Sequence, residues 1–346
     1  SKSPIETMLR RIRDFYRVLI VLVTLIMLGA LMIGPDVFTY IMVYMEKSNS
    51  ETSDIRIYTD KEKNFLISAV GFGTLIGTYI SNYFFSRFGA RYVLLAAGIL
   101  SALTTAALPA CLDWSYAASI VLRVVQGISY SADFGVIGLV VSSWAPQNER
   151  ALFLAVLCSF TVIKSIVEMP VASAMLSAFG WRSVFYAMAC IVLGMSIVWL
   201  ALCRDDPLST PASAREIAKI NEGKAAKTGQ RAKVPYLKIL SDIRLYAMWC
   251  ATFVDAVSSL MLQMYTTKYL AMLGFISSET ALYGSISGYV LLAVRIVAGF
   301  MSDHINVISE RWKIRVFSFL SMQLPALVML AMALFLQPQD NRPILQ

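Results

Sequence analysis

The sequence predicts an all-α integral membrane protein, a bundle of helices closed around a polar interior. Three observations predict it. Of 346 residues, 58% are hydrophobic and only 15% charged, with mean hydropathy +0.65, a balance foreign to soluble globular domains. The charged residues gather between apolar runs, each near the ~20 residues that carry a helix across a bilayer. One run, within Leu122–Arg150, carries Arg123, Gln126 and Asp133 inside it. A charged side chain at membrane depth normally faces a partner or a water-lined cavity. At 100° per residue, Arg123, Gln126, Gly127 and Tyr130 share one arc of a helix, with Asp133 on its flank about 15 Å further along. Such an arc needs other helices to receive it.

The totals also exclude. A net charge of +8 and a pI near 9.2 would suggest nucleic acid in a soluble chain. Here the basic residues collect in loops on one side, which the positive-inside rule explains, so no nucleic-acid partner is expected. Cys111, Cys158, Cys190, Cys203 and Cys250 sit in or at the ends of apolar runs without metal-ligand spacing, which argues against a disulfide framework or a metal site. His304 is the only histidine, so a histidine-based catalytic triad has nothing to build on. Neither an enzyme nor a cofactor is expected.

Taken in order, Ser3-Pro4-Ile5-Glu6 reads as a capping box. It opens a short basic amphipathic helix over residues 1–17, expected to lie on the cytoplasmic membrane face. Nine spans follow, approximately Val18–Val43, Asn64–Phe85, Tyr92–Cys111, Tyr116–Trp144, Ala151–Phe179, Ser183–Cys203, Leu245–Leu270, Thr280–Met301 and Val316–Leu336. The first six form an N-terminal bundle (18–203) and the last three a partial second bundle (245–346). Between them runs a long basic loop (204–244), in which Ser213-Ala214-Arg215-Glu216 is a second capping box opening an amphipathic helix. With the N-terminus inside, twenty Lys and Arg fall on inner segments and six on outer ones, so the N-terminus is expected in the cytoplasm. The plasma membrane and a lysosomal or vesicular membrane stay equally open. A weak internal repeat relates Ser86-Arg87-Phe88-Gly89-Ala90-Arg91, at the end of span two, to Gly299-Phe300-Met301-Ser302-Asp303, at the end of span eight. Two related halves joined by a long loop is a pattern of secondary transporters.

Further motifs carry a family resemblance. They are Leu122-Arg123-Val124-Val125-Gln126-Gly127, Ser143-Trp144-Ala145-Pro146 with Glu149-Arg150, Gly180-Trp181-Arg182-Ser183-Val184-Phe185-Tyr186, Asp205-Asp206-Pro207, and Val234-Pro235-Tyr236. Together they resemble the major facilitator superfamily, and within it the anion:cation symporter branch (solute carrier family 17), which holds sialin, the vesicular glutamate transporters and the type I sodium–phosphate cotransporters. The resemblance implies two six-helix halves, with the second half truncated in this chain and three spans missing. It implies a small anionic solute and a co-transported proton or sodium ion. The chain departs from the family at Asn82 and Ser86, where Gly and Asp are usual, at Tyr130, where an acid is expected, and at Asp255, where the glutamate transporters are basic.

The candidate site residues follow. Arg123, with Gln126 and Tyr130, is expected to bind substrate, since a guanidinium offers a planar fork for carboxylate or phosphate; a structural role holding helices together is the equal alternative. Asp255, about 16 Å into span seven, is expected near the midplane, where such carriers bind their solutes. Asp133 is a candidate for ion coupling, or else the fixed partner of Arg295. Lys164 and Glu168 are i,i+4 and pair on one helix face, and a Glu168–Arg123 exchange during gating would give them a coupling role. Asp36, after Gly34-Pro35, sits at an expected break near the outer end of span one, where a local kink explains it as well as a site does. Arg87, Arg91, Arg295 and Asp303 are expected as a conformational latch. The Gly71/Gly73/Gly77 run is read as close helix packing. The whole points to an alternating-access carrier of small organic or inorganic anions. A rival class, a sensor or receptor that keeps the fold without ion coupling, stays open on the strength of Tyr130.

Overall fold

Backbone that has no water to bond must satisfy its own N–H and C=O groups, and a helix does so within one segment. Every regular element among the described residues is helical. The structure, a computed structural model, describes residues 16–47, 59–222, 239–272, 277–304, 309–327 and 330. The predicted N-terminal helix up to residue 15, residues 223–238 of the long loop and the end of predicted span nine (328, 329 and 331–336) lie outside the described residues.

Helix α1 (Tyr16–Lys47) runs straight through Pro35, so the break expected at Gly34-Pro35 does not occur. Helix α2 (Asp60–Trp114) contains predicted spans two and three, turned on each other at Gly89, whose φ is +79°. A side chain there would be doubly excluded: φ is left-handed, and an added Cβ would stand 2.8 Å from Asp205 Cγ. Predicted span four is two helices, α3 (Tyr116–Tyr130) and α4 (Ala132–Trp144), and predicted span five is also two, α5 (Arg150–Cys158) and α6 (Phe160–Phe179). Each break falls on a serine whose hydroxyl bonds back to its own helix: Ser131 to Ile128 O (2.7 Å) and Ser159 to Ala155 O (2.8 Å). Such bonds compete with the helical ladder. Helix α7 (Trp181–Leu202) starts after Gly180, φ +83°. Next comes α8 (Ala214–Asn221), whose N-cap Ser213 accepts the Glu216 N–H at 3.3 Å. Helices α9 (Ile243–Met272), α10 (Ser277–His304) and α11 (Glu310–Ser318) complete the described chain, the last running into a π-turn at Phe319–Gln323.

Among the described residues, five helical stretches have the length and hydropathy of membrane spans: Tyr16–Thr39, Lys61–Trp114, Tyr116–Trp144, Gln147–Phe179 and Trp181–Leu202. The second, at 54 residues, is long enough for two crossings. The protein is therefore an integral, multi-pass, all-α membrane protein.

The chain parts into two compact units, one of Ser1–Ala225 with Tyr289–Asp303, the other of Ala226–Gly288 with His304–Gln346. Within the first, α2 packs along α3 and α7, and α1 against α6 and α7. The α2–α3 contact is backbone on backbone. An added Cβ at Gly73 would strike Val124 O, one at Gly127 would strike Val70 O, and Thr74 Oγ1 donates to Gly127 O at 3.3 Å. Gly77 is equally crowded against Ile128, whereas Gly71 faces open space, so the predicted packing run holds at two of its three positions. Two apolar clusters fill the unit. One gathers Ile20, Leu28, Phe85, Val136, Trp144, Leu157 and Trp199; the other Ile33, Phe38, Leu66, Leu108, Val184 and Phe185. Outward faces stay apolar, as at Phe72, Leu75, Leu103 and Ile197, which suits lipid contact.

Candidate functional site

The polar interior is built on one turn of α1. Arg123, on α3, is 1% exposed and sits in the second apolar cluster. Its Nε donates to Leu66 O (3.2 Å) and its Nη1 to Pro35 O (3.2 Å) and Gln126 Oε1 (2.7 Å), while its Cζ lies 4.2 Å from the centre of the Phe38 ring. Gln126, also 1% exposed, passes the chain on from its Nε2 to Thr105 Oγ1 at 2.9 Å. Gly34 makes room for this: a Cβ there would stand 2.6 Å from Thr105 Oγ1 and 2.9 Å from Gln126 Nε2. Among the described residues Arg123 has no carboxylate partner. The i,i+3 spacing of Arg123 and Gln126 brought them together as the sequence implied. The neutral acceptors from α1 and α2 had no signal in the sequence, because backbone carbonyls carry none.

One residue further along α1, a second cation approaches. Lys164 on α6 is buried and forms ion pairs with Asp36 of α1 and with Glu168, 3.4 Å away on its own helix. The i,i+4 pair is present as its spacing implied. Asp36, left open between a kink and a site, is a counter-ion of Lys164. The signal available was a lone acid facing a helix that carries a lone lysine. The side chains of Lys164 and Glu168 are 6% and 3% exposed, that of Asp36 40%. Two buried cations thus converge on Pro35-Asp36, one on a carbonyl and one on a carboxylate.

Asp133 stands apart. It is fully buried in the first turn of α4, within the first apolar cluster, and neither carboxylate oxygen has a hydrogen-bond partner. The expected pairing with Arg295 is not made: Arg295 Nη1 donates to Cys158 O at 2.7 Å. Nor do Glu168 and Arg123 meet, since Glu168 is held by Lys164 and Arg123 by neutral acceptors. Tyr130 is half-buried at the end of α3 and Asp255 is exposed on α9. Tyr130 makes no described contact with the Arg123 cluster, and Asp255 belongs to the other compact unit.

The four residues expected as a latch fall into two groups. Arg91 donates from Nε and Nη2 to Leu200 O (3.2 and 2.6 Å) and from its backbone N–H to Asp205 Oδ1 (2.8 Å); the carbonyl of Arg91 accepts from Trp199 Nε1 (3.1 Å). These bonds tie the Gly89 turn to the end of α7. Arg87 is exposed, and its guanidinium binds Tyr83 of its own helix at 2.9 Å. On α10, Asp303 accepts the Ala151 and Leu152 N–H groups (3.1 and 2.8 Å) at the start of α5, and Arg295 binds the last carbonyl of that helix. An acid at the N-terminus and a base at the C-terminus both match the helix dipole.

A further ionic cluster lies at the ends of two apolar spans, where α8 meets them. Arg17 Nη1 reaches Glu149 Oε2 (2.7 Å) and its Nε reaches Glu216 Oε1 (3.1 Å), while Lys219 Nζ holds Glu149 Oε1 (3.1 Å). Ile220, fully buried, joins Phe153 and Tyr16 in the first cluster. Helix α8 is therefore docked by both charge and apolar contact. Burial raises the Glu216 carboxyl above its ordinary value, against the lowering pull of Arg17 and Lys219. Among the described residues no group of His, Cys, Asp and Glu is arranged to hold a metal.

Apolar helices of spanning length packed around buried charged side chains define a class, that of polytopic helical membrane proteins. The comparisons with known proteins agree with that class. The family model described as Major Facilitator Superfamily matches residues 19–344, and the chain belongs to that family. It is not an enzyme. Among curated proteins it is similar to sodium-dependent phosphate transport protein 3 of Mus musculus, at 23% identity over 83% of this chain and 61% of that one. It is also similar to vesicular glutamate transporter 2.1 of Danio rerio, at 25% identity over 71% of this chain and 44% of that one. The chain thus spans about half the length of these relatives. Among solved structures, the proton:xylose symporter XylE bound to 6-bromo-6-deoxy-D-glucose superposes with a TM-score of 0.63 at 19% identity, covering 85% of this chain and 70% of that one, a likeness of fold.

Proposed function

We propose that the chain serves secondary active transport of small anions of carboxylate or phosphate type, within the anion:cation symporter branch of its family. Transport runs by alternating access and is driven by a proton or sodium gradient, with the N-terminus in the cytoplasm. The observation that carries this reading is Arg123, a guanidinium 1% exposed whose described partners are all neutral. A buried charge without a counter-charge is costly, and an incoming oxyanion supplies what is missing through charge-assisted bonds. The relatives named for phosphate and glutamate transport support the same solute class. Asp133, with no donor in reach, supports a proton-binding role beside it.

The test is uptake of labelled inorganic phosphate and labelled L-glutamate into vesicles holding the full-length protein, with and without pH and sodium gradients. Saturable uptake that a gradient accelerates is the expected result. Saturable binding without uptake would instead favour the receptor alternative, and neither binding nor uptake of either anion would sink the reading.

A further inference from the structure

Lys164 has two carboxylate partners, and they are not equivalent. Glu168 is on the same helix and its side chain is 3% exposed, so it stays with Lys164 in any rigid movement of α6. Asp36 comes from α1, across a helix–helix contact, and its side chain is 40% exposed. It is the partner whose side chain reaches the surface of this unit, and the one that separates when α1 and α6 shift. Among the described residues, the charged groups facing this turn are Lys164 and Glu168 from α6 and Arg123 from α3, the last bound to the carbonyl of Pro35. From α2 the turn meets the neutral hydroxyls of Ser101 and Thr105 near Gly34. With Asp36 ionised, two cations face two anions and the set is electrically balanced. An anion that enters leaves it one negative charge in excess, unless a proton enters too.

We propose that Asp36 is the exchangeable counter-ion of Lys164: the solute's oxyanion takes its place on the ammonium, and Asp36 takes up a proton from the aqueous phase. This rests on the anion-transport reading above. The step makes one O–H bond at Asp36 Oδ and breaks none in the solute. The ammonium stays protonated throughout, exchanging one oxyanion for another, and release of the solute on the opposite side returns the proton and restores the Asp36–Lys164 pair. Asp36 is thereby a positioning and coupling residue, and Lys164 a second anion-binding group beside Arg123.

The experiment uses the full-length protein in proteoliposomes, with labelled inorganic phosphate and labelled L-glutamate as probes. Wild-type uptake should fall about tenfold per pH unit on the alkaline side of its midpoint, as a single-proton step requires. In Asp36→Asn, which imitates the protonated acid, net uptake against a gradient is lost, while exchange of external for internal anion continues and varies less than about twofold over the same range. Asp36→Glu keeps a titrating carboxyl and should retain coupling with a displaced midpoint; it also serves as the test if the asparagine variant does not fold. An unchanged pH profile in Asp36→Asn, or an unmoved midpoint in Asp36→Glu, overturns this inference and leaves anion transport standing. So does uptake driven by sodium and indifferent to pH. Failure of the wild type to bind or carry either anion overturns the transport reading and this inference with it.

Discussion

Arg123 and Lys164 are buried cations reaching adjacent residues of one helix, yet their surroundings are opposite. Arg123 has three neutral oxygens and an aromatic face; Lys164 has two carboxylates. The difference follows from the two side chains. A guanidinium spreads its charge, is weakly hydrated and stacks on rings, so neutral dipoles and a π-face hold it. An ammonium is a compact point charge that needs an anion close by. The arginine site is thus short of one negative charge and the lysine site has one to spare. In the proposed exchange the solute's oxyanion replaces Asp36 on the lysine, beside an arginine that already lacks a counter-ion among the described residues.

The largest effect expected is on stability at the lysine. Lys164→Met leaves two carboxylates without their cation, one of them deeply buried, and should cost about 3–5 kcal/mol, read as a fall in the thermal midpoint of the purified protein. Arg123→Met removes a charge and strands only neutral acceptors, two of them carbonyls inside helices. Its structural cost should be smaller, about 1–3 kcal/mol, but phosphate or glutamate affinity should drop about tenfold or more, the worth of a charged hydrogen bond. Equal thermal losses in the two variants would break the comparison. Asp133 sharpens it from the other side, being a buried carboxyl with no hydrogen-bond or ion-pair partner among the described residues. Asp133→Val should raise stability by about 1–3 kcal/mol by removing an unsatisfied buried group, and a loss of that size would reveal a partner.

The smallest effect lies at Glu216. Its carboxyl is raised by burial, so the folded state holds the proton more tightly than the unfolded one. The docking of α8 is then firmest in acid and weakens as pH rises from the ordinary carboxylate value of 4.5 through the raised one. Protection of α8 from proteolysis or hydrogen exchange should decline over that window, and Glu216→Gln should flatten the decline.

Much of this was legible beforehand where the signal is local. Arg123 with Gln126, and Lys164 with Glu168, share helix faces at fixed spacings, and the Ser213 capping box predicted the start of α8. What failed was local too, but invisible to hydropathy. Ser131 and Ser159 look like ordinary span residues, and their hydroxyls divert the helix by bonding backward. Proline at position 35 suggested a break that α1 does not make, since neighbouring helices can re-satisfy the freed backbone group.

The sequence by itself determined the membrane class, the helical elements and which side chains carry charge into them, because bilayer thickness and helical period act on residues near one another in the chain. Only the tertiary structure decided the pairings: Asp36 with Lys164, Arg123 with Pro35 and Leu66, Asp303 with the start of α5, and Asp133 with nothing among the described residues. Those partners lie on different helices, between 57 and 152 residues apart where their hydrogen bonds cross the chain. Depth and rotation about each helix axis select them, and both are set by packing.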